Sequence, residues 1–115
     1  MIVKHYKGGT YTVLFQCNAE NDPVTNCGWP RLFGAFDATN CANRDTVMVR
    51  MGAGRVFVTG SKLPHGTKVV VYVSHQTGGV FVRDKAEFEE PIKWPDGVVR
   101  PRFAFDHEFE RPVKP

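Results

Sequence analysis

The stretch Lys68-Val69-Val70-Val71-Tyr72-Val73-Ser74 most constrains this chain, because five consecutive β-branched or aromatic residues leave no polar face. Successive side chains of a strand point to opposite faces, so a strand over Val69 to Val73 must be covered on both sides. Its partners are visible at a distance in sequence. One is His5-Tyr6-Lys7-Gly8-Gly9-Thr10-Tyr11-Thr12-Val13-Leu14-Phe15, where Gly8-Gly9 permits the positive φ of a tight turn that feeds a strand. The other is Val80 to Arg83, reached through a hairpin turn near Gln76-Thr77-Gly78-Gly79. The expected architecture is a small β-barrel closed between the two ends of the chain, with a β-rich segment inserted between them.

Read in order, Thr10 to Cys17 is the first strand. Alternation places Tyr11, Val13 and Phe15 on one face and Thr10, Thr12, Leu14 and Gln16 on the other. Asn18 to Pro23 is a loop by composition, and loop character continues through Trp29-Pro30. Arg31 to Phe36 reads as a short strand weakened by Gly34, and Asp37 to Asp45 as a polar loop. Thr46 to Met51 and Arg55 to Thr59 form a hairpin around a three-residue connection, Gly52-Ala53-Gly54. Asp84 to Glu89 is too short for an isolated helix, yet one turn there docks Phe88 inward. Trp94-Pro95-Asp96-Gly97 carries a turn signal, Arg100 to Phe105 an edge strand, and Arg111 to Pro115 a loose tail. No repeat and no long amphipathic helix interrupts a mostly β reading.

At 115 residues the chain is expected to be one domain, with residues 22–66 as the insertion. Its 42% apolar and 23% charged residues are ordinary for a globular protein and suggest neither a fibre nor a disordered chain. A formal charge of +3 permits an anionic partner without demanding one, since no basic arm is clustered. No apolar run is long enough to span a membrane and the first residues lack a signal-peptide pattern, so a cytoplasmic location with no membrane partner is expected. Cys17, Cys27 and Cys41 form no paired Cys-x-x-Cys motif and are expected as free thiols. His5, His65, His75 and His107 stand singly, without metal-binding spacing, so neither metal nor cofactor is expected.

The two ends together resemble the family known only as domain of unknown function 1653, small bacterial and phage proteins. The opening His5-Tyr6-Lys7-Gly8-Gly9-Thr10-Tyr11 is similar to the family's His-Tyr-Lys-Gly start. Val70-Val71-Tyr72 matches its Val-Val-Tyr strand, and Phe81-Val82-Arg83 its aromatic-Val-Arg step. Phe88, Asp96-Gly97 and Pro101-Arg102-Phe103 follow in the family's order. The resemblance covers residues 4–17 and 67–105 and implies an SH3-like barrel, but it brings no known activity. The family's His-Ser-Glu-like triplet after the first strand has no counterpart in Asn18-Ala19-Glu20.

Candidate functional residues follow from charge and aromaticity. His5, Tyr6 and Lys7 flank a Gly-Gly turn whose backbone amides are placed to meet an anion. Arg83 and Arg102 come from strands that a barrel brings toward that turn, and arginine suits bidentate capture of phosphate or carboxylate. With Tyr72 and Phe81 they form a candidate ligand pocket; the competing reading makes Tyr6 and Tyr72 core residues and pairs Arg83 with Asp84 or Glu87. Arg50, Arg55 and Trp29 give the insertion an arginine-plus-aromatic character that suits nucleotides, nucleic-acid bases or protein interfaces. Glu87, Glu89 and Glu90 read as a solvated acidic turn. The expected function is non-enzymatic binding of a small anionic, nucleotide-like ligand. The alternatives are a nucleic-acid or protein adaptor, then a small enzyme, for which only His5 or His75 offers one member of an acid–base pair. Edge strands also permit a homo-oligomer.

Overall fold

The computed structural model describes residues 1–20, 29–39 and 45–105. Expectations for the remaining loop residues, for Cys27, Cys41 and His107, and for the tail lie outside those residues. The chain is mostly β, with 60% of residues in strands and a closed six-stranded barrel, as the sequence leads one to expect. Its strands are β1 (Ile2–His5), β2 (Thr10–Ala19), β3 (Arg31–Asp37), β4 (Asp45–Gly52), β5 (Arg55–Thr59), β6 (Lys68–Ser74), β7 (Val80–Asp84), β8 (Pro91–Lys93), β9 (Val99–Pro101) and β10 (Phe103–Phe105). A single helical turn, α1 (Lys85–Phe88), follows β7.

Around the barrel the order is β2-β5-β4-β3-β7-β6, with β6 returning to β2. The middle segment therefore supplies half of the barrel wall. It is sewn in by two short parallel seams, Asn18↔Phe57 with Ala19↔Val58, and Phe36↔Phe81 with Asp37↔Val82. Strand β2 serves two neighbours along one edge: its first residues pair with β1 and its last two with β5. β10 pairs with the other edge of β1, and β8–β9 form a separate small hairpin.

Two cores lie on opposite faces of β6. Val69 and Val71 point into the barrel with Ala35, Val47, Val49, Val58 and Val82. Val70 and Tyr72 point outward against Val3, Phe88 and Phe103. This is how a run with no polar face is satisfied, each fully buried valine contributing about 1.5–3 kcal/mol. The expected helical turn is present: Asp84 caps it by accepting the Ala86 N–H, and Phe88 is buried in the second core.

Several local expectations are corrected: Asn18 and Ala19, expected as loop, belong to β2, and the edge strand expected over Arg100 to Phe105 divides into β9 and β10 in separate sheets. A bulge interrupts the β2–β6 register between Val13 and Phe15, so the simple alternation breaks there. Tyr11 and Val13 face the second core, while Phe15 and Cys17 turn into the barrel. The β4–β5 connection is two residues, not three, because Gly52 still pairs with Arg55. Both turn residues have positive φ, 51° at Ala53 and 76° at Gly54, the pattern of a type I′ turn. Alanine is strained there, at a cost of about 1–2 kcal/mol. Ala53→Asn creates the favoured Asn-Gly pair and is expected to raise unfolding stability by about 0.5–1 kcal/mol. A denaturant midpoint that stays put or falls would refute the assignment.

Candidate functional site

The site is built around the turn that joins β1 to β2. Gly8 and Gly9 hold φ of 102° and 93°, and a Cβ at Gly9 would press to 3.2 Å from the Tyr11 ring. Glycine is thus needed for conformation and space alike. Four amides of this turn, however, are used internally. The N–H groups of His5, Tyr6 and Gly8 donate to the carbonyls of Gly9, Arg102 and His5 at 3.1, 3.2 and 2.8 Å. The Lys7 N–H donates to His5 Nδ1 at 3.2 Å. These four amides are already donating and so are not available to cradle an anion.

The side chains converge. A cavity of about 190 Å³ opens beside the turn, in the second core and outside the barrel. His5, Tyr6, Lys7, Tyr72, Phe81, Arg83 and Arg102, all singled out from sequence, line it together. Tyr11, Ala38 and Phe103 complete the lining and were missed as site residues. Phe103 carried a signal, since it closes the Pro-Arg-Phe motif; Ala38, delivered by the parallel β3–β7 seam, carried none.

Aromatic rings form the walls. Tyr72 lies 5.8 Å from Phe81 in a stacked arrangement, and Tyr11 meets Tyr72 and Phe103 edge-on at 5.5 Å each. Cations are laid over these rings. Arg83 sits 5.4 Å from the centre of Phe103, Arg102 5.5 Å from Tyr6, and Lys7 5.6 Å from Tyr6.

Both readings of these residues hold in part. Tyr72 is a core residue and Arg83 pairs with Glu87, yet both also line the cavity. Arg83 Nε donates to the Tyr72 hydroxyl at 3.1 Å, and its guanidinium bonds the Glu87 carboxylate from α1. Arg102 Nε donates to the Glu87 carbonyl at 3.2 Å and its Nη2 to Glu90 at 3.0 Å. The acidic turn is therefore not merely solvated: Glu87 anchors Arg83, Glu90 holds Arg102, and Glu89 pairs with Lys85 at 3.1 Å. Among the described residues Lys7 has no carboxylate partner, so the described charges at the cavity, Lys7, Arg83 and Arg102 against Glu87 and Glu90, leave a positive surplus.

His5 records that surplus. Burial first, and then the charges of Arg83, Arg102 and Lys7, bring its pKa from 6.5 down to about 4. The ring is neutral at pH 7, and since Nδ1 accepts the Lys7 N–H, its proton resides on Nε2. The unfolded chain takes up this proton near pH 6.5 and the folded chain only near 4. Stability contributed by His5 is hence complete above pH 6.5 and lost as pH falls toward 4. Because the ring is partly solvated, the expected loss between about pH 6.5 and 5 is about 1 kcal/mol, below the linkage maximum. His5→Gln should flatten unfolding free energy over that interval; an unchanged slope would dismiss His5 as its source.

The other candidates lie elsewhere. Arg50 donates to the Trp29 carbonyl at 2.7 Å and to Thr59 Oγ1 at 3.0 Å. Arg55 bonds the Glu20 carboxylate and lies 5.2 Å over Phe57. The Trp29 ring rests on Gly52 so closely that any Cβ there would collide with it. None of the three lines the cavity; they tie the Trp29 segment and the end of β2 to the β4–β5 hairpin.

Cys17 is a poor nucleophile, because burial and the nearby Glu20 charge push its thiol up to about 11. The His75 ring meets Thr12 Oγ1 through Nε2 at 2.6 Å, and among the described residues no cluster of His, Cys, Asp or Glu is arranged to hold a metal ion. No helix of the described residues is long and apolar enough to cross a membrane. Comparison with known protein families, curated proteins and solved structures finds no match to this chain.

Proposed function

We propose that this protein is a non-enzymatic binding module for a small anionic ligand of nucleotide-like chemistry, held beside the β1–β2 turn. One observation carries the reading: an aromatic-walled cavity where Lys7, Arg83 and Arg102 bring more positive charge than the described neighbouring carboxylates, Glu87 and Glu90, offset. In this reading Arg102 and Lys7 hold the anion directly, the neutral His5 donates from Nε2, and Arg83 supplies fixed charge from below. Phe81 offers an aromatic wall for a ring. Membership of residues 4–17 and 67–105 in domain of unknown function 1653 belongs to the same proposal. The residues behind that resemblance include His5, Tyr72, Phe81, Arg83 and Arg102, which all line the cavity.

Arg102→Ala is the direct test, because Arg102 hangs its guanidinium on the cavity without entering either core cluster. A panel of nucleotides, sugar phosphates and short oligonucleotides is screened by thermal shift and then by calorimetry. A ligand at 100 times its dissociation constant adds about 2.7 kcal/mol to the folded state, a shift easily read. The variant is expected to lose about tenfold or more in affinity, the worth of a charge-assisted hydrogen bond, while staying folded. Unaltered affinity removes the cavity from the site. Shifts with oligonucleotides alone, fading in salt, would replace the reading with a nucleic-acid adaptor.

A further inference from the structure

The cavity is small for a whole ligand. Pockets that enclose drug-sized molecules run to about 300–1,000 Å³, against about 190 Å³ here. It does not stand alone. A groove of about 520 Å³ adjoins it, with His5, Tyr6 and Lys7 as common wall. Arg102 and Lys7 lie 5.5 and 5.6 Å from the centre of the Tyr6 ring; Arg102 lines the cavity but not the groove, and Lys7 lines both. The groove adds Lys4 and Arg100. Asp96, the one carboxylate among its described lining residues, is taken up bidentately by Arg100 at 3.1 and 2.8 Å. Trp94 is 8% exposed with Arg100 over its ring, so it closes the groove as floor and offers no open face. Lys4 and Lys7 are exposed at the groove wall. The described cations thus continue from the cavity into the groove instead of stopping at the Tyr6 ring.

We infer that the two hollows together take one chain of linked phosphates, two or more joined end to end, with the inner phosphate beside Arg102, the outer one beside Lys4, and Lys7 between them. The inference rests on the binding-module reading and names its ligand class. A lone phosphate occupies one hollow and gains nothing from the cations of the other. Linked phosphates place negative charge and acceptor oxygens on each successive group with no uncharged spacer, so each group meets a cation through charge-assisted hydrogen bonds. The partition they cross is a single side chain, Tyr6, and its two flanking cations lie within 5.6 Å of the ring centre. Such a chain exists free, as inorganic tripolyphosphate, and on a nucleoside, as a nucleoside triphosphate; its chemistry at the site is the same in both.

Calorimetry on the full chain, without divalent cations, titrates inorganic phosphate, tripolyphosphate and adenosine triphosphate into the parent, Lys4→Ala and Lys68→Ala. Lys4 is an exposed groove residue that does not line the cavity; Lys68 is exposed, lines neither hollow, and reports the effect of lost net charge alone. Tripolyphosphate is expected to bind about tenfold or more tightly than phosphate, the scale of one added charge-assisted hydrogen bond. Lys4→Ala should weaken tripolyphosphate about fivefold or more and leave phosphate within about twofold. Lys68→Ala should move neither by more than about twofold, since solvent and salt screen a distant charge. Equal affinity for adenosine triphosphate makes the free chain sufficient, and a gain of about tenfold for it identifies the nucleotide as the source; both support the inference. Tripolyphosphate no tighter than phosphate overturns it, as does a Lys4→Ala loss that phosphate shares or that Lys68→Ala matches. Binding by none of the three overturns the underlying reading itself.

Discussion

Tyr72→Ala is expected to remove most of the protein's stability. The ring is 2% exposed and lies 5.0–5.8 Å from Tyr11, Phe81, Phe88 and Phe103, so it is the centre of the second core. Truncating a buried aromatic to alanine costs about 3–5 kcal/mol through lost transfer energy and the cavity left behind. The variant also deprives the buried Arg83 of the hydroxyl that accepts its Nε–H. Against a total of about 5–15 kcal/mol for a domain, that loss leaves a chain that is largely unfolded or close to it. Tyr72→Phe separates the two effects: it keeps the packing and should cost about 1–3 kcal/mol for the orphaned donor. Denaturant unfolding followed by circular dichroism reads both. A Tyr72→Ala midpoint close to that of the parent would mean that the second core is not cooperative with the barrel.

The second large effect concerns the Arg83–Glu87 pair. Their side chains are 7% and 14% exposed, so this pair is largely out of water. Glu87→Ala leaves a buried guanidinium without its carboxylate and should destabilise by about 2–4 kcal/mol, somewhat less than the 3–5 of a fully buried pair. Replacing both partners with apolar residues of similar size, Arg83→Met with Glu87→Leu, should recover most of that loss, since the desolvation cost disappears with the charges. The same double variant strips the cavity of a cation, so ligand affinity should fall although stability returns. A double variant no more stable than Glu87→Ala alone would show that the pair is worth more than the desolvation it costs.

The elements of this fold were legible where composition left one solution. Val69 to Val73 admits no solvent-facing side, and it is covered on both faces by separate cores. Gly8-Gly9 demanded a positive-φ turn, and Phe88 on a single helical turn had nowhere to go but inward. Much of the cavity could be read too, because its charged and aromatic residues come from the two ends of the chain, where the motifs lie. The bulge at Leu14 was not legible. One extra residue in a strand leaves no mark in an alternating pattern, yet it sends Phe15 to the opposite face from Tyr11 and Val13.

What the sequence determined by itself is the inventory: β strands, their turns, a doubly covered central strand, and a set of cations and aromatic rings around the amino-terminal turn. Tertiary structure alone decided how these close. The barrel is sealed by two parallel seams of two residue pairs each, between segments far apart in sequence. Nothing local encodes such pairings, because hydrogen bonding along a strand edge is indifferent to sequence and the choice falls to packing. It also decided that Arg83 and Arg102 reach the site while Arg50 and Arg55 do not. An arginine's composition is the same in either place; only the carboxylates folded beside it, Glu87 and Glu90 for one pair and Glu20 for Arg55, set where its charge is spent.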